Sequence, residues 1–114
     1  MQYLLLIHDD PADYHEGLME EYGAFTQTLA ASGALVGANQ LQPADTATTV
    51  RSRDGETLCT DGPFIETKEA LGGYYLVEVE TLDEAIEWAA KIPSAKFGHI
   101  EVRPVVMRTA EVGA

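Results

Sequence analysis

The first eight residues are predicted to form a strand that is apolar on both of its faces, and this feature constrains the fold most. Successive side chains of a strand point to opposite faces. One face carries Tyr3, Leu5 and Ile7, and the other carries Leu4, Leu6 and His8. A strand that is apolar on both faces needs cover on both faces, so Met1 to His8 is predicted to be a central strand of a sheet.

Two amphipathic helices are predicted from apolar residues at helical spacing. Gly33 suits the left-handed cap that ends the first helix. Thr81 and Glu84 form a capping box that opens the second, which ends before Pro93. The predicted inward residues are Leu18, Tyr22, Phe25 and Leu29 in the first helix, and Leu82, Ala85, Ile86, Ala89 and Ile92 in the second.

Four further segments are rich in strand-forming residues. The pair Asp54-Gly55 is a strong hairpin signal between two of them, and Pro104 predicts an edge position or a bulge in the last one. In the segment 73–80, Tyr75, Val77 and Val79 alternate with Tyr74, Leu76, Glu78 and Glu80. The predicted strands are 35–41, the hairpin 46–53 with 56–60, 73–80 and 99–107.

The resulting order is strand–helix–strand, a hairpin, and strand–helix–strand again. It predicts a single domain over residues 1–114 with an α+β, ferredoxin-like sandwich of the dimeric α/β-barrel type, in which an antiparallel sheet has two helices on one face and an inserted hairpin. The other face of the sheet would remain open and apolar. Since such a patch rarely stays in contact with water, we predict a homodimer that packs sheet to sheet.

The charge distribution is strongly uneven. The net charge is −12, and no lysine or arginine precedes Arg51. A polyanion would be repelled, so nucleic-acid binding is disfavoured. Two interpretations remain open, a solvated acidic face that aids solubility and an acidic patch that meets a cation or a basic partner. The lone Cys59, the absence of a basic flank before the first apolar run, and the absence of any membrane-length apolar run predict a cytoplasmic protein with no membrane contact.

The segment 61–69, called here the 61–69 loop, concentrates ionisable side chains after a turn. Gly62 allows a positive φ, and Phe64 is predicted to anchor the loop to the core. Glu66, Lys68 and Glu69 offer a general base, a cation for an anionic group and a second carboxylate. The alternative is a solvated loop in which a lysine is flanked by acids.

His8 is the other candidate for chemistry, at the carboxyl end of the predicted central strand. We expect its ring to enter the crevice beside the first helix, where a nearby aspartate would orient it for acid/base work. The alternative is that His8 only caps the strand. His8, Asp10 and His15 match no strong metal-ligand spacing, so no metal and no cofactor are predicted.

Three segments together resemble the DGPF-domain proteins, relatives of the YCII group. They are residues 3–7, the 61–69 loop with Leu71-Gly72-Gly73, and residues 100–104. The resemblance implies a dimeric ferredoxin-like fold, a frequent association with extracytoplasmic-function sigma factors, and in the wider group a dehydrochlorinase-type activity that uses a His–Asp pair. Carried over to this chain, that pair would be His8 with Asp61. The residues that match the family pattern without an assigned task are Glu66, Thr67, Lys68, Glu69, Glu101 and Arg103.

Two functions compete. The first is a small cofactor-free enzyme that performs acid/base chemistry on a polar or aromatic small molecule. Its predicted catalytic residues are His8 and Asp61, and its predicted ligand-binding residues are Phe64, Glu66, Thr67, Lys68, Glu69, Gly73 and Arg103. The second is a non-catalytic ligand-binding or regulatory module that senses a metabolite or docks a sigma-factor partner through its acidic face. A purely structural dimer is a third possibility.

Overall fold

The computed structural model describes residues 1–108. In this range the chain forms six strands and two α-helices, in the order β1 (Gln2–Asp9), α1 (Leu18–Ser32), β2 (Leu35–Gln40), β3 (Thr48–Arg53), β4 (Glu56–Asp61), β5 (Ala70–Glu78), α2 (Leu82–Lys91) and β6 (His99–Pro104). Within residues 1–108 no helix combines the length and the apolar character needed to cross a membrane.

Four of the strands form one antiparallel sheet in the order β2-β5-β1-β6, and the hairpin of β3 and β4 forms a separate ribbon. Both helices contribute buried side chains to a single cluster with one face of β1 and β5, so both lie on the same face of the sheet. The predicted α+β ferredoxin-like fold with its inserted hairpin is therefore confirmed. β1 is central, as the two apolar faces indicated, and β6 with its Pro104 is an edge strand.

The core lies between the helices and the odd-numbered residues of β1. Leu5, Leu29 and Val77 are fully buried at its centre, where Phe25 packs edge-on against Tyr75 with ring centroids 5.1 Å apart. The apolar stripe of α1 and its cap at Gly33, which has a φ of 85°, are as predicted.

The predicted orientation of α2 was wrong for two residues. Leu82 and Ile86 are each 47% exposed, whereas Ala85, Ala89 and Ile92 are buried. The small alanine side chains let the helix approach the sheet closely. Each residue turns an α-helix by about 100°. With the alanines facing the sheet, Leu82 and Ile86 therefore lie on the side of the helix, where they are partly exposed.

The predicted ends of several strands also need correction. β5 covers Ala70–Glu78 rather than 73–80, because β1 continues to Asp9 and its antiparallel partner begins opposite that residue. β6 ends at Pro104 rather than at Met107. β2 ends one residue early at Gln40, and β3 begins two residues late at Thr48.

The hairpin forms around Asp54-Gly55, as predicted. The φ angles of these residues are 51° and 79°, and a two-residue turn of type I′ requires positive φ at both positions. The prediction that Phe64 anchors the following loop to the core was wrong, because its side chain is 82% exposed. Within residues 1–108, β3 and β4 form a ribbon apart from the main sheet and contribute no residue to the hydrophobic core, so Phe64 follows a ribbon that is not part of the core.

The face of the sheet that points away from the helices, called here the open face, is apolar at its centre. Cross-strand pairs place Leu4 beside Leu76 and Leu6 beside Tyr74, and all four side chains are only partly buried. The charged groups at its rim are paired with one another. Glu101 contacts Arg103, and the amino terminus lies 2.7 Å from Glu78.

Candidate functional site

A β-bulge lies at the carboxyl end of β1. Ile7 pairs with Gly73 and His8 pairs with Leu71, so Gly72 is an extra residue in β5. Bulges redirect side chains and occur often beside functional sites. The next residue of β1 is Asp9, which continues the buried face of the strand and is only 4% exposed. A carboxylate thus ends an otherwise apolar face.

Both oxygens of the Asp9 carboxylate accept hydrogen bonds from hydroxyl groups. The Tyr14 hydroxyl donates to Oδ1 at 2.9 Å, and the fully buried Ser94 hydroxyl donates to Oδ2 at 2.8 Å. The Ser94 oxygen is also 2.5 Å from the Tyr22 hydroxyl. An ionised carboxylate accepts hydrogen bonds and donates none, so this arrangement suits its charged form.

Two glycines make room for Asp9. A Cβ atom on Gly72 would lie 2.8 Å from Asp9 Oδ1, and one on Gly98 would lie 3.0 Å from Asp9 Cβ. The first distance is shorter than real Cβ contacts show, and the second is tighter than nearly all of them, so the neighbouring atoms would have to move in both cases. The carboxylate therefore occupies space that a side chain at Gly72 in β5 would fill, and the backbone of β1 beside it occupies space that a side chain at Gly98, just before β6, would fill.

Short turns and α1 position the three hydroxyl groups, two of which bond to Asp9 while that of Tyr22 bonds to Ser94. Asp10 accepts from the Ala12 amide at 2.9 Å, which fixes the turn that delivers Tyr14. Phe97 packs edge-on against the Tyr14 ring at a centroid distance of 6.4 Å. Tyr22 projects from α1. Ser94 lies in the 3₁₀ turn Pro93–Lys96, which follows α2.

The Asp9 network lies at a cleft of about 310 Å³ between α1 and the sheet. Among the residues that the structure describes, no lysine or arginine lines this cleft. The lining residues are Ile7, Asp9, Tyr14, His15, Leu18, Met19, Tyr22, Ala38, Asn39, Gln40, Gly72, Gly73, Tyr74 and Tyr75. The cleft is therefore mostly apolar and aromatic, with its charge concentrated at Asp9, as is usual for sites that bind small molecules.

The environment keeps the tyrosine hydroxyls protonated. Burial, followed by the hydrogen bond to Asp9, raises the pKa of Tyr14 to about 12. Burial likewise raises the pKa of Tyr22. At the mouth of the cleft, the hydrogen bond of His15 to Glu21 raises the pKa of the imidazole. Near neutral pH both tyrosines therefore act as hydrogen-bond donors.

His8 does not lie where we expected it. It points to the open face, because alternation along β1 turns it away from Ile7 and Asp9, and it does not line the cleft beside α1. Its Nε2 lies 3.4 Å from Glu101 Oε1, a distance that allows charge attraction. This nitrogen has no hydrogen-bond partner among the described residues. The assignment of His8 to the crevice beside the first helix is corrected accordingly.

The 61–69 loop also lies outside the cleft. Asp61 is the exposed last residue of β4, paired across the ribbon with Thr48, and Lys68 is exposed. Glu69 accepts a hydrogen bond from the exposed His99 ring at 2.6 Å. The side chains of Phe64, Glu66 and Thr67 are exposed as well.

Of the predicted ligand-binding residues, only Gly73 lines the cleft, while Arg103 pairs with Glu101 on the open face. The convergence of His8, Asp61 and this loop on a common cleft is therefore not found. In residues 1–108 no three histidine, cysteine, aspartate or glutamate side chains converge as ligands for a metal ion.

Sequence reasoning missed the residues that form the network, namely Asp9, Tyr14, Tyr22 and Ser94. The alternation of Tyr3, Leu5 and Ile7 continues to Asp9, so a carboxylate on a buried face was visible in the sequence. That signal was lost because the strand was predicted to end at His8. Nothing in the sequence linked Ser94 to Asp9, since they are 85 residues apart.

The fold and the site together define a class: a ferredoxin-like α+β protein with a small-molecule-sized cleft and a buried carboxylate at the end of its first strand. The chain belongs to the YCII-related domain family, whose model matches residues 1–108. It is 34% identical to an uncharacterised protein of Rhizobium meliloti (strain 1021), and the alignment covers 94% of each chain.

A solved structure with a similar fold is that of 5-chloro-2-hydroxyhydroquinone dehydrochlorinase from Burkholderia phenoliruptrix AC1100, in complex with 2,5-dihydroxybenzoquinone. The sequences are 16% identical, the match covers 93% of this chain and 94% of the other, and the TM-score is 0.53. At this level of identity the match supports the shared fold alone.

Proposed function

We propose that this chain is a small cofactor-free enzyme that performs acid/base chemistry on a polar or aromatic small molecule bound in the cleft. The observation that carries the proposal is the buried Asp9 carboxylate, held by two hydroxyl donors at one end of a mostly apolar cleft. A stable core does not require a carboxylate at such a position. Buried ionisable groups that line clefts are often functional.

In the proposed reaction Asp9 accepts a proton from an O–H group or an acidic C–H group of the bound compound. The electron pair of that bond remains on the substrate, and the carboxylate becomes a carboxylic acid. Tyr14 and Ser94 fix the orientation of the carboxylate through the hydrogen bonds at 2.9 and 2.8 Å. A base that is already oriented loses little entropy when it meets the proton.

By analogy with the solved structure of similar fold, the substrate that we propose is a small ring compound. That protein is named as a dehydrochlorinase of a chlorinated hydroxyhydroquinone, and its complex contains a dihydroxybenzoquinone. Both compounds are single rings that carry hydroxyl groups. A cleft of about 310 Å³ is of a size for a ring of this kind. His8 and the 61–69 loop have no part in this mechanism, because they lie outside the cleft.

Replacement of Tyr22 by phenylalanine tests the proposal. We expect Tyr22→Phe to lower turnover by about tenfold, because it removes one hydrogen bond that orients Ser94 and through it Asp9. The measurement is the rate of absorbance change with a panel of hydroxylated and chlorinated hydroquinones. Tyr3→Phe is the matched control, because Tyr3 does not line the cleft and its hydroxyl group donates, among residues 1–108, to the Met1 sulfur alone. Equal rates for the two variants, or no turnover of the panel by the natural protein, would contradict the proposal.

We also propose that two copies of the chain pack through their open faces. The apolar centre of that face is only partly buried, and its rim charges are already paired. The acidic residues of the early chain, which would repel a second copy, lie mainly in the turns before α1 and on α1 itself. When two copies bury the apolar centres of their open faces against each other, repulsion between like charges on this face is therefore small.

The variant Leu6→Glu is expected to convert the dimer into a monomer. It places a charge at the centre of the open face, where the partner copy would leave that charge desolvated and unpaired. Sedimentation velocity at micromolar concentration measures the change. Leu82→Glu is the control, because Leu82 is 47% exposed on the helix side. A natural protein that sediments as a monomer would refute the proposed dimer.

A second candidate function is a regulatory module that docks a basic partner such as a sigma factor. The observation in its favour is the cluster of exposed acids in the early chain, formed by Asp13, Glu16, Glu20 and Glu21. In that case association would weaken as salt is added, because exposed charges are screened. Association would also be indifferent to Asp9, which is buried.

A further inference from the structure

We propose that the cleft selects its ligands by charge and by hydrogen-bonding sense. It accepts uncharged or cationic ring compounds that bring a hydroxyl or amine donor to Asp9, and it rejects anions. The inference rests on the proposed function, to which it adds the class of ligand. It also reverses the sequence-based expectation that Lys68 would hold an anionic group, since Lys68 does not line the cleft.

The directions of the hydrogen bonds follow from counting protons. A hydroxyl group has one proton to donate. Ser94 donates its proton to Asp9 Oδ2, so Tyr22 must be the donor in the 2.5 Å bond between Tyr22 and Ser94. Tyr14 donates its proton to Asp9 Oδ1. All three protons are thus committed toward Asp9, and the oxygens of the two tyrosines retain lone pairs. The Asp9 end of the cleft therefore presents hydrogen-bond acceptors, and a ligand group that binds at this end must supply the donor. The amide side chains of Asn39 and Gln40, which can donate as well as accept, also line the cleft.

The charged residues around the cleft also disfavour the binding of an anion. Asp9 is 4% exposed, and neither lysine nor arginine lines the cleft in the part of the chain that the structure describes. His15 is the basic side chain at the mouth, but its Nε2 is 2.9 Å from a Glu21 carboxylate oxygen, so the pair adds no net positive charge. An anion that reached the Asp9 end of the cleft would face a carboxylate without a compensating cation, and repulsion by a carboxylate that is itself buried is less weakened by water than repulsion at the surface.

The walls of the cleft define the rest of the ligand. Ile7, Leu18 and Met19 contribute apolar surface, and Tyr75 contributes an aromatic residue. These residues favour an apolar ring, while the acceptors at one end favour a donor group at its edge. Hydroxylated and aminated single rings meet both conditions.

Three ring compounds of similar shape test whether the cleft selects ligands by charge: benzylamine as a cationic donor, benzyl alcohol as a neutral donor and benzoate as an anion. Binding is followed by amide NMR shifts at Gly72 and Gly73, which line the cleft, with Gly33 at the end of α1 as an internal control. We expect benzylamine and benzyl alcohol to shift the cleft signals. We expect benzoate to bind at least about tenfold more weakly than benzylamine. The Asp9 carboxylate attracts the cationic amine and repels the anionic carboxylate.

A charge variant gives a second, independent readout. Met19 lines the cleft and is 65% exposed, so Met19→Lys adds a cation at the mouth without burying it. We expect benzoate to bind about tenfold more tightly to this variant than to the natural protein. Ala24→Lys is the matched control, because Ala24 is exposed on the same helix, does not line the cleft and gives the same change in net charge.

Each outcome decides the inference. Weak benzoate binding that Met19→Lys restores and Ala24→Lys does not would support it. Benzoate binding at least as tight as that of benzylamine would overturn it, and so would unchanged cleft signals with all three probes. The acid/base proposal fails on a different result, which is unchanged turnover in Tyr22→Phe, so the two failures are distinguishable.

Discussion

Asp9→Asn is expected to abolish most of the activity while leaving the protein folded. Asparagine has the shape of aspartate, so the pocket bounded by Gly72 and Gly98 accommodates it. Its amide cannot accept the substrate proton as a carboxylate does. Loss of a general base lowers rates by about 10²–10⁴-fold, and we expect turnover to fall by about a hundredfold or more. The measurement is kcat/KM with the best substrate of the hydroquinone panel.

Asp13→Asn is the matched control for this variant. Asp13 is exposed in the turn before α1 and does not line the cleft, so the same change in charge should leave turnover unchanged. Circular dichroism and thermal unfolding verify that both variants are folded. If Asp9→Asn retained the turnover of the natural protein, Asp9 would not be the base.

Gly98→Ala is expected to destabilise the fold by about 3 kcal/mol, at the upper end of the range for overpacked sites. The added Cβ would lie 3.1 Å from Asp9 Cα and would clash with the carbonyl oxygen of His8. Relief would require a shift of β1. This strand is paired on both sides, with β5 and β6, so its backbone cannot move without breaking ladder hydrogen bonds.

Urea unfolding measures this effect as a lower midpoint, and 3 kcal/mol is a large fraction of the stability of a typical domain. The control is Gly37→Ala in β2, where no heavy atom of residues 1–108 other than those of the adjoining residues lies within 4 Å of the added Cβ. We expect that variant to change stability by less than about 1 kcal/mol. Equal midpoints for the two variants would show that β1 adjusts to the extra methyl group.

The local elements were predictable because each follows from short-range patterns. The alternation in β1, the stripe of α1 with its cap at Gly33, and the Asp54-Gly55 turn are local features that tertiary contacts did not override. The wrong predictions concern which side chains are buried, because burial depends on the elements that pack against a helix or strand. Leu82 and Ile86 match the helical pattern, yet the rotation of α2 is set by how closely its alanines approach the sheet.

The candidate site was predicted less well than the fold. Histidine and a charged loop are conspicuous in a sequence, and they led to His8 and the 61–69 loop. The structure brings together less conspicuous residues, an aspartate at a strand end, two tyrosines and a serine. These residues suggest a site only because the fold places them in contact. Asp9 and Ser94 are far apart in the sequence, and no local pattern predicts that they lie close together.

The amino-acid sequence alone determined the class of fold, because hydrophobic periodicity and turn chemistry fix which segments are strands and helices, and the order of those segments leaves few topologies. The tertiary structure decided where the polar cleft lies. A one-residue bulge at Gly72 and the absence of a side chain at that glycine create the space for the Asp9 carboxylate, and the hydroxyl groups of Tyr14 and Ser94, from separate segments, donate one hydrogen bond to each of its oxygens. Such a site depends on distances between remote parts of the chain, which no local pattern specifies.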